Sequence, residues 1–215
     1  MSKALRITEI FYSLQGESSL VGLPTVFVRL TGCPLRCQYC DTAYAFSGGM
    51  VYQLEEVLQE VASYEARYVT VTGGEPLAQP ECLALLEALC NASYTVSLET
   101  SGAMDISPVD ERVIVVMDLK TPGSQEQSKN MLSNLQQLGK KDQLKFVICN
   151  REDYVWAKAQ LEEFRLQDTV ADVLFSPSKD ELPALELAEW ILEDKLPVRF
   201  QIQLHKILWD DSAGH

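Results

Sequence analysis

Three of the chain's six cysteines, Cys33, Cys37 and Cys40, fall in the stretch GCPLRCQYCDT at the spacing C-x3-C-x2-C. Thiols this close suit a metal or redox centre before anything else. A tetrahedral zinc site would need a fourth ligand, and the two histidines, His205 and His215, stand near the far end of the chain. A 4Fe-4S cube is usually held by four cysteines, so three would leave one iron open. An open iron can take a chelating amino and carboxylate group.

The remaining cysteines, Cys82, Cys90 and Cys149, sit in apolar helix or strand patterns and read as buried free thiols. The 215 residues, 47% of them hydrophobic, are enough for one well-filled domain spanning 1–215. Acidic side chains outnumber basic ones 31 to 18, for a net charge of -13, and such a surface repels phosphate backbones. Nucleic acid is therefore not expected as a partner. The acidity is spread along helices such as QLEEVLQEVASYEA and REDYVWAKAQLEEF, where solvated faces account for it. No apolar run reaches the roughly 18 residues of a membrane span. The start MSKALRITEIFYSLQGE lacks the layout of a signal peptide, so neither membrane nor export is expected and the cytoplasm is the expected compartment.

These cysteines must be positioned by something. Short β-rich runs at 25–30, 68–72, 94–99, 113–119, 144–148, 172–176 and 198–204 alternate with helix-like segments. Leu54, Val57, Leu58 and Val61 share one helix face, as do Leu83, Leu86 and Leu89. This rhythm predicts an α/β fold with a mainly parallel sheet covered by helices, preceded by an added strand and loop in RITEIFYSLQGES. Parallel sheets put chemistry at the carboxyl ends of their strands. There lie TGC after VFVRL, TGGEPLAQP after YVTV, ETSGA after TVSL, DLKTPGS after VIVVM and SPSKD after VLF. Gly73 and Gly74 would let backbone approach a ligand, and Glu75 could accept from an amine.

With Tyr39 before the last cysteine, the three-cysteine motif resembles the radical S-adenosylmethionine superfamily. SLQGE, VFVRLTGCPLRCQYCDT, TGGEP, LETSG, DLKTP, LKFVI and QLHK together resemble the 7-carboxy-7-deazaguanine synthase family, from residue 14 to residue 206. The resemblance implies a partial (β/α) barrel, a homodimer, and a 4Fe-4S cluster on Cys33, Cys37 and Cys40 that cleaves S-adenosylmethionine to a 5′-deoxyadenosyl radical. The radical would abstract hydrogen from 6-carboxy-5,6,7,8-tetrahydropterin, giving 7-carboxy-7-deazaguanine with loss of ammonia. A low-potential electron donor such as flavodoxin would reduce the cluster.

Carried onto this sequence, the resemblance gives Leu14, Gln15, Gly16, Glu17, Arg29, Thr100 and His205 to the substrate. It gives Tyr39, Gly74, Glu75, Ser101, Gly102, Lys120 and Ser176 to S-adenosylmethionine, and Thr42 to a magnesium ion. Arg29 stands in an otherwise apolar strand, so a substrate carboxylate or an internal salt bridge must satisfy it. A structural role stays open for His205, and a turn cap for Thr42. The tail QLHKILWDDSAGH, with Trp209 to His215, runs past the histidine, where some family members end. A glycyl-radical activating enzyme would share the cysteines and the GGE turn but has no need of LQGE or Arg29. A plain iron-sulfur electron carrier leaves the glycine-rich strand ends without a purpose.

Overall fold

Alternation along the strands decides which way the sheet faces. The computed structural model describes residues 4–210 and 214. In strand β4 (Tyr68–Gly73), Val69 and Val71 are fully buried in the core while Thr70 and Thr72 turn to the opposite face. Strands β2 (Pro24–Leu30) and β5 (Thr95–Thr100) follow the same rule, sending Val26, Val28, Val96 and Leu98 to that core. Strands β6 (Ile114–Asp118) and β7 (Gln143–Ile148) send Val115, Met117, Leu144, Phe146 and Ile148 to a second cluster. The faces left over carry Arg29, Glu99, Asp118 and Lys145, and all four line one cavity.

Helices cover the apolar face. Helix α1 (Leu54–Ser63) contributes Leu54, Val57 and Val61, and Glu56 accepts from the Gln53 N–H at 2.7 Å to satisfy its first turn. In α2 (Cys82–Asn91) the buried stripe is Cys82, Leu85, Leu86 and Leu89, shifted from the expected face because Leu83 is only partly buried. Helix α3 (Arg151–Phe164) starts where Asn150 accepts from Asp153 N at 3.0 Å and ends at Arg165, whose φ is 48°. Tyr154, Ala157 and Leu161 from α3, Leu166 from α4 (Leu166–Thr169), and Leu187 and Ile191 from α5 (Ala184–Asp194) close the second cluster. Deleting a side chain such as Leu85 from this packing would cost about 2–5 kcal/mol.

The nine-stranded sheet has the order β3-β1-β2-β4-β5-β6-β7-β8-β9. Strand β1 (Ala4–Leu14) is antiparallel to β2 and to β3 (Met50–Gln53). From β2 through β8 (Asp172–Pro177) to β9 (Arg199–Phe200) every pairing is parallel. The sheet stays open between β3 and β9, as a mainly parallel partial (β/α) barrel requires.

Three expectations need adjustment. Strand β3 was not foreseen. No helix separates β5 from β6, and only 3-10 turns separate β6 from β7, so the strand-helix rhythm lapses there. The run at 198–204 is a strand only at Arg199–Phe200; Gln201 N still donates to Phe175 O at 3.0 Å, while its side chain binds both Ser18 N (2.8 Å) and Ser18 O (2.9 Å). The chain then forms α6 (Leu204–Trp209), with Leu204 N donating to Gly16 O at 2.9 Å. Of the tail beyond Trp209, residues 211–213 and 215 lie outside the described residues, while Asp210 and Gly214 border the cavity.

Candidate active site

The cavity opens at the carboxyl ends of β2, β4, β5 and β6, and two loops there pack too closely for side chains. A Cβ on Gly74 would stand 2.4 Å from Gly32 O and 2.5 Å from the Cβ of Cys33. The TGGE turn is thus pressed against the cysteine loop, and Glu75 N donates to Gly32 O at 2.9 Å. Glu75 itself turns inward and is fully buried. Its carboxylate accepts Leu77 N at 3.0 Å, Ser101 N at 2.7 Å and Ser101 Oγ at 2.5 Å, with Thr100 Oγ1 at 2.9 Å from both oxygens. Glu75 therefore ties loop to loop, whereas Gly74, Thr100 and Ser101 line the cavity.

Cys33, Cys37 and Cys40 line the same cavity as free, partly exposed thiols. Burial pushes Cys33 and Cys37 up, with the neighbouring Lys120 ammonium opposing it. No three His, Cys, Asp or Glu side chains among the described residues converge on a point that would hold a single ion. Three free thiols opening on one cavity are a donor set that fits an iron-sulfur cluster. Binding iron would deprotonate them.

Beside them lies a wall with unsatisfied polar atoms. Tyr39 Oη, Asp118 Oδ1 and Ser176 Oγ are buried without partners. Lys120 donates to Asp118 Oδ2 at 2.9 Å and stands 5.6 Å from the Tyr39 ring centre. Orphaned buried polar groups of this kind call for a ligand or water, and they fit the hydroxyls and amines of S-adenosylmethionine. Tyr39 and Lys120 line the cavity; Ser176 lies behind its surface. Gly102 is also set back, with φ +72° and Met117 3.0 Å from where a Cβ would stand.

The LQGE segment forms another wall. Leu14, Gln15, Gly16 and Glu17 all face the cavity. Gln15 donates to Thr70 Oγ1 at 3.1 Å and to Glu99 Oε1 at 3.2 Å, and Thr72 donates to Glu99 Oε2 at 3.1 Å. Glu17 accepts from Lys145 on one oxygen and Gln203 on the other. Burial works against its charge, but Lys145 holds the carboxyl below the usual range. Glu99 moves the other way, pushed up by burial and by Glu17. His205 packs on Gly16 so closely that a Cβ at 16 would lie 2.0 Å from its Nδ1, and burial lowers its pKa.

Arg29 meets the internal partner that the sequence left open. Its Nε donates to Glu9 Oε1 at 2.7 Å, an oxygen that also accepts the Tyr44 hydroxyl at 2.7 Å. Among the described residues neither Nη has an acceptor, and the guanidinium still borders the cavity. Thr42 Oγ1 donates to Asp41 Oδ1 at 2.8 Å, and Asp41 Oδ2 pairs with Lys206 Nζ at 2.8 Å. A hydroxyl that spends its proton on Asp41 keeps its lone pairs for the cavity, a hard oxygen donor of the kind magnesium prefers. Glu99, Asp118, Lys145, Gln203 and Asp41 were not among the expected site residues. Asp118 and Lys145 carry the same signal as Arg29, a charge between apolar neighbours, whereas Glu99 stands between Leu98 and Thr100.

A family model for the radical SAM superfamily matches residues 27–121, from the first parallel strand through the cysteine loop to Thr121. The 7-carboxy-7-deazaguanine synthase of Chlorobaculum tepidum is 42% identical over 97% of this chain and 96% of its own length. That of Koribacter versatilis is 40% identical over 95% and 97%. The crystal structure of QueE from Escherichia coli shares the fold at a TM-score of 0.77, with 22% identity over 94% of this chain and 95% of that one. With cysteine loop, LQGE wall and TGGE turn gathered on one cavity, and with relatives this similar from end to end, the chain belongs to the 7-carboxy-7-deazaguanine synthase family of the radical S-adenosylmethionine superfamily.

Proposed function

We propose that this chain converts 6-carboxy-5,6,7,8-tetrahydropterin to 7-carboxy-7-deazaguanine with loss of ammonia, a lyase step of queuosine and 7-deazapurine biosynthesis. The observation that carries the reading is that one cavity gathers the three cysteines together with Gln15, Glu17 and Arg29. When bound, the 4Fe-4S cluster and S-adenosylmethionine supply the radical that removes hydrogen from the substrate. Cys33, Cys37 and Cys40 would hold the cluster. Gly74, Ser101 and the Tyr39–Lys120 wall would hold S-adenosylmethionine, with Glu75, Gly102 and Ser176 supporting that wall from behind. Gln15 and Glu17 match the donors and acceptors of an aminopyrimidinone, and the free Nη groups of Arg29 suit a carboxylate. Thr42 would give magnesium one protein ligand, the pterin and water supplying the rest. Thr100 and His205 complete the substrate side.

The enzyme works in this reading as a homodimer in the cytoplasm, where thiols stay reduced, and takes electrons from a low-potential donor such as flavodoxin. No described helix is long and apolar enough to cross a membrane. The activating-enzyme and electron-carrier readings give no purpose to the polar LQGE wall. The test is an anaerobic incubation of the reconstituted enzyme with reductant, S-adenosylmethionine, magnesium and the pterin. Formation of 7-carboxy-7-deazaguanine supports the reading; an intact cluster that cleaves S-adenosylmethionine yet leaves the pterin unchanged rejects it.

A further inference from the structure

We propose that Lys145 is a positioning residue whose ammonium fixes Glu17 as the anionic acceptor for the 2-amino group of the pterin. Lys145 sits on β7 between Leu144 and Phe146, both fully buried, and its own side chain is 12% exposed beside a Glu17 side chain that is 10% exposed. A lone ammonium or carboxylate at such depth would be costly, so each requires the other. Glu17 Oε2 takes Lys145 and Oε1 takes Gln203. A carboxylate oxygen has two lone-pair directions, so each keeps one for a ligand in the cavity.

The second carboxylate of this wall is held differently. Among the described residues Glu99 accepts only from the neutral Gln15 amide and Thr72 hydroxyl. Of the two carboxylates on this wall, Glu17 is thus locked to a cation and Glu99 is not. Their pKa values are driven in opposite directions, Glu17 down and Glu99 up. Glu17 is therefore an acceptor only, while Glu99 is the one of the pair able to carry a proton. A 2-amino-4-oxopyrimidine edge offers N–H donors that suit the fixed anion. A 2-oxo edge would turn an oxygen toward the same lone pairs and be rejected, so Lys145 sets a specificity without touching the ligand.

The inference rests on the proposed pterin chemistry and is tested apart from it. Holoenzyme with S-adenosylmethionine is titrated with pterin-6-carboxylate and with its 2-oxo counterpart, lumazine-6-carboxylate. The wild type is expected to favour the 2-amino ligand by about tenfold or more, the worth of one charge-assisted hydrogen bond. Lys145→Met is expected to lose most of that preference with unchanged S-adenosylmethionine affinity, and Lys145→Arg to retain part of it. Where Lys145→Met does not fold, Lys145→Gln keeps a donor to Glu17 without the charge and reads the same ratio.

The pH dependence supplies a second readout. Facing the Glu17–Lys145 pair are His205 from α6, Glu99 from β5, Asp118 from β6 and Asp41 beside the cysteine loop. Without Lys145, burial raises Glu17, so pterin affinity in Lys145→Gln is expected to climb with pH through a Glu17 titration that the wild type, whose Glu17 is held low by Lys145, does not show. Lys145 also lowers Glu99, so the two profiles are compared in a Glu99→Gln background, where the remaining difference belongs to Glu17. A Lys145 variant with the wild-type ratio and a level profile overturns the inference. A wild type that binds neither ligand overturns the pterin reading itself, and this inference with it.

Discussion

The Glu75 carboxylate and the backbone N–H of Ser101 meet at 2.7 Å, and this contact ties the carboxyl end of β4 to that of β5. Ser101 Oγ at 2.5 Å and Thr100 Oγ1 at 2.9 Å complete the tie. An inward carboxylate this well satisfied acts as a spacer, setting how far Gly74 stands from the cysteine loop.

Glu75→Gln keeps the shape but replaces one acceptor oxygen with an NH2 that faces donors. The buried mismatch is expected to cost about 2 kcal/mol of apo-protein stability in urea unfolding. Weaker S-adenosylmethionine binding would follow from the shifted Gly74 turn. An unchanged midpoint would mean that the carboxylate is not what joins the two loops.

Changing Cys33, Cys37 or Cys40 to alanine is expected to abolish the visible 4Fe-4S absorption and all turnover. Cys90→Ala acts through packing and Cys149→Ala also removes a thiol that bonds Glu181 and Asp153; neither thiol lines the cavity, and each change is expected to cost roughly 1–2 kcal/mol with the cluster intact. A cluster that reconstitutes without Cys37 contradicts the ligand set.

Much of this site could be read in the sequence because its parts lie at strand ends, and strand ends are marked by glycine and by a break in apolar pattern. Gly74 was found that way, whereas Cys33 came from the cysteine spacing and Thr100 from the family resemblance. What the sequence conceals is pairing at a distance. Lys145 meets Glu17 across 128 residues, and nothing local to LKFVI announces an acidic partner. The direction of a side chain is hidden too: Glu75 sits in the expected turn but points into the protein, and Arg29 was left between two partners until Glu9 came beside it. Strand β9 was overread because QIQL has strand character, while the contacts that hold the Gln201 side chain and Leu204 N belong to the LQGE loop.

For Arg29, Nε is taken by Glu9 while the residue lines the cavity, so a planar fork is able to serve both partners at once. Arg29→Lys has one point charge for two sites. Pterin affinity is expected to fall about tenfold to a hundredfold while S-adenosylmethionine affinity holds, as measured by separate binding titrations. Loss of folded protein with normal pterin affinity in the remainder would leave Arg29 with the internal pair alone.

At Thr42 the hydroxyl proton goes to Asp41, and Asp41 is held in turn by Lys206 of α6. Thr42→Val removes the oxygen and keeps the shape. Turnover in metal-stripped enzyme is expected to rise with magnesium in the wild type and much less in the variant, with cluster absorption equal in both. Indifference of the wild type to magnesium would leave Thr42 as a turn cap.

Glu99 yields a test in which stability and function move apart. Its pKa in the folded protein is raised above the ordinary 4.5 by burial first and by the Glu17 charge second. The folded state therefore holds a proton more tightly than the unfolded chain does. Stability from this group is complete below 4.5 and declines as pH rises through the folded value. Glu17 has the opposite sign: its lowered pKa gives stability above 4.5 that fades as pH falls. Glu99→Gln carries no charge at any pH and escapes the decline. Its Oε1 can keep the Gln15 bond, and the Thr72 hydroxyl can turn to accept from the new amide. The variant is thus expected to melt higher than the wild type at about pH 7, with the gap closing toward about pH 4. Over the same range its pterin affinity is expected to fall, because an amide cannot trade a proton with the ligand as a carboxyl can. A variant that melts lower than the wild type at neutral pH would show that Glu99 is stabilised as a carboxylate, and the division of charge between the two carboxylates would be wrong.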